Sequence, residues 1–268
     1  MTTTYLYGAN VQANGIRQHY LRYGGQGQPL VLVPGITSPA ITWGFVAERL
    51  GRQFDVHVMD VRGRGLSESG DTLDYGIDAC ADDITALAAA LGLDCYLMVG
   101  HSMGARFAIR AAVRNPHGLD KLVLIDPPVS GPDRRPYPSR LPWYVDSLRD
   151  CRQGADLETM RQYCPTWTDG QLRLRAEWLH TCNEKAVIDS FDGFQRDDIH
   201  ADLPKIAVPT LLIAAGKGDV ILPEDEQEIR ELLPSIQTAR VASAGHMIPW
   251  DDFEGFFAAF GTFLGPRL

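Results

Sequence analysis

A serine between two glycines, Gly100-His101-Ser102-Met103-Gly104, and a histidine late in the chain, His246, are the residues best suited to chemistry. A serine hydroxyl is a poor nucleophile at neutral pH. It needs a base within hydrogen-bond reach, and the base needs an acid to orient it. The run Cys95-Tyr96-Leu97-Met98-Val99 before the serine is of strand type, and Ala105, Phe107, Ala108, Ile109, Ala111 and Ala112 after it suit a helix. That context reads as a nucleophile on a tight strand-to-helix turn, where close neighbours must lack a Cβ. His246, in Ala244-Gly245-His246-Met247, follows a short strand and precedes the last helix, and it is the expected base. His19 and His57 lie in strands, His117 in a surface loop, and His180 and His200 in or beside a helical segment; His101 is expected to line the pocket.

Two aspartates between the serine and the histidine qualify as the acid. Asp126 ends the apolar strand Leu122–Ile125, and Asp219 follows the next strand in Gly216-Lys217-Gly218-Asp219. Sites in open α/β sheets gather at the carboxyl ends of the strands, so position alone leaves both open, with Asp219 at the commoner location for the acid. The oxyanion of an acyl-transfer intermediate needs backbone N–H donors. Met103, directly after the nucleophile, is expected to supply one, and Ile36, in the loop Pro34-Gly35-Ile36-Thr37 after the first central strand, the other.

These groups must be held by a scaffold. Residues 4–11 and 16–23 read as a hairpin turned at Asn14-Gly15. Apolar runs at Leu30–Val33, Val56–Met59, Cys95–Val99, Leu122–Ile125 and Thr210–Ala214, then Thr238–Val241, alternate with helices. Ile77, Cys80, Ile84, Leu87 and Leu91 form one apolar stripe ended by Gly92; Pro223–Leu233 and the phenylalanine-rich segment from Phe253 to Phe263 form two more helices. Continuous apolar strands alternating with helices mean a mostly parallel sheet covered on both faces, eight-stranded here. From about Pro127 to Leu203 no strand is evident. Proline-rich residues lead into helical patterns around Leu172–Leu179 and Val187–Phe191, which read as an inserted helical cap over a small-molecule pocket. The expected organisation is a core of residues 1–127 and 204–268 with a cap of residues 128–203.

The chain has 268 residues, 45% of them hydrophobic, enough for one sizeable domain. A net charge of −9 without a basic cluster argues against nucleic acid and anionic membrane surfaces. No signal peptide and no membrane span are read, and five cysteines without paired spacing point to a reducing cytoplasm. Cys80 and Cys95 are expected in the core. No histidine–cysteine cluster has ligand spacing, so a zinc site is not expected.

The set Val33-Pro34-Gly35, Asp60–Ser67 (DVRGRGLS), Gly100–Gly104 and Gly245-His246 resembles the α/β-hydrolase superfamily across the whole chain. Longer strings, Val33–Phe45 (VPGITSPAITWGF), Asp126–Pro132 (DPPVSGP), Leu141–Ser147 (LPWYVDS), Arg175–Cys182 (RAEWLHTC) and Ala244–Asp252 (AGHMIPWDD), resemble the N-formylmaleamate deformylases of bacterial nicotinate degradation. The resemblance implies a serine hydrolase that cleaves a formyl C–N bond, releasing formate and maleamate without a cofactor. It places the acid at Asp126, making the expected triad Ser102, Asp126 and His246. A carboxylate substrate calls for a cation near the pocket. Arg106, Arg175 and Trp178 are the expected substrate-binding residues; Arg62 is read as a structural residue of its loop, and Trp250 as packing against the base. Other capped hydrolases, such as esterases, iminopeptidases and C–C bond hydrolases, share the elbow, and a ligand-binding protein on an inactive scaffold is the non-enzymatic alternative.

Overall fold

A computed structural model of the chain describes residues 3–265. Eight strands form one sheet: β1 (Tyr5–Ala13), β2 (Ile16–Tyr23), β3 (Pro29–Val33), β4 (Asp55–Met59), β5 (Tyr96–His101), β6 (Leu119–Ile125), β7 (Thr210–Ala215) and β8 (Gln237–Val241). Their order across the sheet is β1-β2-β4-β3-β5-β6-β7-β8. β2 runs antiparallel to both of its neighbours, and from β4 to β8 every pairing is parallel. This is the mostly parallel eight-stranded sheet expected. β3, β4, β5 and β7 are buried almost throughout, as a parallel sheet sandwiched by helices requires.

The helices are α1 (Gly44–Leu50), α2 (Ile77–Ala90), α3 (Met103–Arg114), α4 (Leu141–Arg152), α5 (Leu157–Tyr163), α6 (Asp169–Trp178), α7 (Glu184–Arg196), α8 (Pro223–Leu232), α9 (Ile248–Asp251) and α10 (Phe253–Ala259). The α2 stripe is buried as its spacing predicts, with Ile77, Cys80, Ile84 and Leu87 inside and Gly92 at φ +67 just beyond the end. α10 is shorter than the phenylalanine pattern implies. It ends at Ala259, and Phe260 and Phe263 are buried from the turns that follow. Cys95 is exposed rather than in the core; it immediately precedes β5, where the chain has only begun to enter the sheet.

Between β6 and β7 the described chain contains helices and no strand. α6 begins with a reciprocal capping box between Thr168 and Gln171, and Asn183 caps α7 by accepting from the Ala186 N–H. α4 packs on α5 and α7, while α6 reaches the 3-10 turn at Ala40–Trp43 that follows β3. The inserted helices therefore stand over the carboxyl ends of the central strands. No described helix is long and apolar enough to cross a membrane.

Candidate active site

Ser102 sits between β5 and α3 with φ 52 and ψ −119, a conformation an L-residue holds only under constraint from its surroundings. The neighbouring glycines make that turn sterically feasible. A Cβ on Gly104 would lie 2.2 Å from the Val33 carbonyl oxygen, and one on Gly100 would lie 2.6 Å from the Gly104 carbonyl oxygen. These obstacles are backbone atoms and cannot rotate away. The Ser102 N–H is tied to the Ile125 carbonyl at 2.8 Å, which anchors the elbow to β6.

His246 lies in the loop between β8 and α9. Its Nε2 is 2.9 Å from Ser102 Oγ, and its Nδ1 is 2.7 Å from Asp126 Oδ2. Asp126, fully buried at the end of β6, turns through φ 45 to face the histidine, and its Oδ1 accepts the Ala215 N–H at 3.1 Å. A carboxylate accepting from Nδ1–H leaves Nε2 unprotonated and able to take the serine proton. Asp219 lines the cavity but is exposed, and its carbonyl accepts from Arg135 Nη1 at 2.9 Å; it is not hydrogen-bonded to His246.

His101 supports the base from behind. Its Nε2–H donates to the His246 carbonyl at 3.2 Å, and the two rings lie 5.1 Å apart. Burial pushes its pKa down to about 3, so a neutral ring stands beside His246 and adds no competing cation. Trp250 packs on Trp43 at 4.9 Å and stacks on Trp167 at 5.2 Å, with His101 between it and the base. The expected direct packing against His246 is replaced by this aromatic wall.

Met103 is the first residue of α3, so its N–H has no intrahelical acceptor. Ile36 lines the same cavity as Ser102. Sequence reading missed Arg64, which joins these two positions. Fully buried, it donates from Nε to the Ile36 carbonyl at 3.1 Å and from Nη1 to the Arg62 carbonyl at 2.9 Å. Its Nη2 reaches the Ala186 carbonyl and Ser190 Oγ on α7, both at 3.0 Å, and Met103 Sδ at 3.5 Å. One guanidinium thus links the loop after β3, the start of α3 and the inserted helices.

The cavity above Ser102 holds about 380 Å³, toward the small end of ligand pockets, roughly 300–1,000 Å³. Arg175, on α6, lines it and is buried. Its Nε has no partner, and its two contacts, to the Thr37 carbonyl and Ser147 Oγ, are both stretched to 3.5 Å. The rings of Trp143 and Trp167 flank the guanidinium at 5.5 and 5.8 Å. Tyr137 and Tyr144, which sequence reading did not single out, also line the cavity.

The other two expected binding residues lie elsewhere. Arg106 is spent on carbonyls: Nη1 donates to Pro128 at 2.7 Å and Ser130 at 2.9 Å, and Nη2 to Asp197 at 2.6 Å and Gly193 at 3.3 Å. It ties α3 to the two ends of the inserted segment and is outside the cavity lining. Trp178, at the end of α6, lines a separate depression with Tyr5, His19 and Leu66. Arg62 makes a bidentate pair with Asp83, both contacts at 2.6 Å, as befits a structural residue.

A family model described as the α/β-hydrolase fold matches residues 28–253. The chain is 66% identical to an N-formylmaleamate deformylase of Pseudomonas putida KT2440, over 99% of each chain. It is 28% identical to a putative carbamate hydrolase of Caulobacter sp. K31, over 88% of this chain and 90% of that one. Among solved structures, it resembles a serine-to-alanine variant of N-formylmaleamic acid deformylase from Pseudomonas putida S16, with TM-score 0.92 and 57% identity, covering 95% of this chain and all of that one.

Proposed function

The chain belongs to the α/β-hydrolase family, and from that premise we propose that it is a serine hydrolase cleaving the formyl C–N bond of N-formylmaleamate to give maleamate and formate. The observation that carries the chemistry is the 2.9 Å contact from Ser102 Oγ to His246 Nε2, inside a cavity also lined by Arg175, whose Nε has no partner. The full-length likeness to the Pseudomonas putida deformylase supports the choice of substrate.

Ser102 Oγ attacks the formyl carbon while its proton passes to His246 Nε2. Asp126 holds the imidazole and balances the charge it gains. The Ile36 and Met103 N–H groups receive the oxyanion. The C–N bond then breaks, its electron pair goes to nitrogen, and nitrogen takes the proton from Nε2. A water molecule gives its proton to the same Nε2 and attacks the formyl ester, and formate leaves as Ser102 recovers its proton. Arg175 binds the substrate carboxylate. Burying a guanidinium whose Nε has no partner and whose two other contacts are stretched to 3.5 Å is costly, and an anion offsets that cost. Arg106 and Trp178 take no part in this reading, because their side chains lie outside the cavity lining.

Residues 128–203 act as the cap that excludes water from this chemistry. We take the partner to be a small carboxylate, with no nucleic acid or membrane involved. The buried free thiols Cys80, Cys151, Cys164 and Cys182 accord with work in the cytoplasm. The test is formate release from N-formylmaleamate set against a panel of simple esters. Efficient release, well above ester turnover, is expected; much better activity on the esters overturns the proposal.

A further inference from the structure

One polar pair in the cavity has no role in the scheme above. Tyr137, in the stiff segment Pro136-Tyr137-Pro138, places its hydroxyl 3.3 Å from His246 Nε2. The hydroxyl of Tyr144, on α4, lies 3.1 Å from that of Tyr137. Phe194 meets the Tyr137 ring edge-on at 5.0 Å, and Phe191 meets it at 6.0 Å, so the ring is wedged against α7. Desolvation holds both phenols protonated, raising Tyr137 well above the ordinary tyrosine range.

Nε2 has one lone pair, and Ser102 takes it at the shorter distance of 2.9 Å. The Tyr137 hydroxyl therefore has a proton to offer elsewhere, provided that Tyr144 donates to its oxygen. Its position carries the chemical meaning. The leaving nitrogen must come within hydrogen-bond distance of Nε2 to collect a proton, and a donor already at that distance from Nε2 stands beside it. In N-formylmaleamate a second carbonyl is bonded to that nitrogen. When the C–N bond to the formyl carbon breaks, part of the electron pair spreads onto the oxygen of this second carbonyl.

We propose that Tyr137, aimed by Tyr144, donates a hydrogen bond to the carbonyl attached to the leaving nitrogen, so that the site favours formamides whose nitrogen is also acylated. Tyr137 keeps its proton throughout; the proton that nitrogen gains comes from His246. The inference rests on the deformylase reading and adds a substrate class to it, the N-acyl formamides.

The test compares Tyr137→Phe with the wild type on N-formylmaleamate and on p-nitrophenyl formate, whose leaving group has no adjacent carbonyl. Losing one hydrogen bond to a developing charge should lower kcat on N-formylmaleamate by about ten- to a hundredfold, with much less change in KM. The loss on p-nitrophenyl formate should be far smaller, and its turnover reports an intact Ser102–His246 pair. Tyr144→Phe should move the ratio of the two rates in the same direction by a smaller factor. Equal losses on both substrates, or none on either, would overturn the role of Tyr137 alone. A wild type that hydrolyses p-nitrophenyl formate but leaves N-formylmaleamate intact would overturn the deformylase reading, and this inference with it.

Discussion

Ser102, His246 and Asp126 depend on one another through two short contacts, 2.9 and 2.7 Å, and each contact has its own test. Asp126→Asn presents His246 with an amide and the wrong tautomer, and kcat should fall by about 10⁴, as in other triads. Asp219→Asn should leave turnover near the wild-type rate, because Asp219 is exposed and the Nδ1 of the base is already held by Asp126. The opposite ranking, read from kcat of the two variants, would make Asp219 the acid. Arg175→Met removes a cavity guanidinium whose Nε has no partner. It should raise KM for N-formylmaleamate by about ten- to a hundredfold, the worth of one charge-assisted pair. The uncharged p-nitrophenyl formate should be affected much less; a matching rise for both would show that Arg175 only shapes the cavity.

At the level of elements, the site is a convergence of loops that Arg64 and His101 hold in place. Arg64→Met leaves the carbonyls of Ile36 and Arg62 short of a donor. At about 1–3 kcal/mol for each unsatisfied buried group, Tm should drop by roughly 5 °C or more. kcat should fall with it, since the Ile36 peptide loses its clamp; an unchanged Tm and kcat would show the link to be idle. His101 gives a pH signature. In the folded chain it stays neutral down to about 3, whereas in the unfolded chain it takes up a proton near the ordinary value of about 6.5. The unfolded state thus binds more protons between these values, and the His101 contribution to stability is lost as pH falls below about 6.5 toward 3. Denaturant titrations of wild type and His101→Gln should show the wild-type advantage shrinking from pH 7 to pH 4. A constant gap would mean that the ring titrates normally.

Across the whole molecule, the parts legible in the sequence are those written by local pattern. Apolar runs gave the central strands, the stripe from Ile77 to Leu87 gave α2, and the glycines around Ser102 marked the elbow because backbone atoms occupy the space a Cβ would need. What local pattern cannot convey is the direction in which a side chain points after packing. Arg106 lies four residues after Ser102, yet the first turn of α3 carries it into the carbonyls of Pro128 and Asp197. Trp178 is three residues after Arg175 on α6, a rotation and a rise along the helix that take it out of the cavity and over β1 and β2. Tyr137 and Arg64 were hidden for a related reason. They lie in irregular segments without periodicity, and their partners are distant in the chain. The Asp126 assignment rests on longer strings matching a known family; position in the sequence alone leaves both aspartates open, with Asp219 at the commoner place for the acid.

All of this chemistry depends on an alcohol, activated by His246, that carries the formyl group, and turnover of Ser102→Ala is the decisive measurement. With the fold verified by an unchanged thermal transition, formate release from N-formylmaleamate should fall by about 10⁶ in kcat, as when comparable serine nucleophiles are removed. A variant that still releases formate within tenfold of the wild-type rate would mean that Ser102 is not the nucleophile.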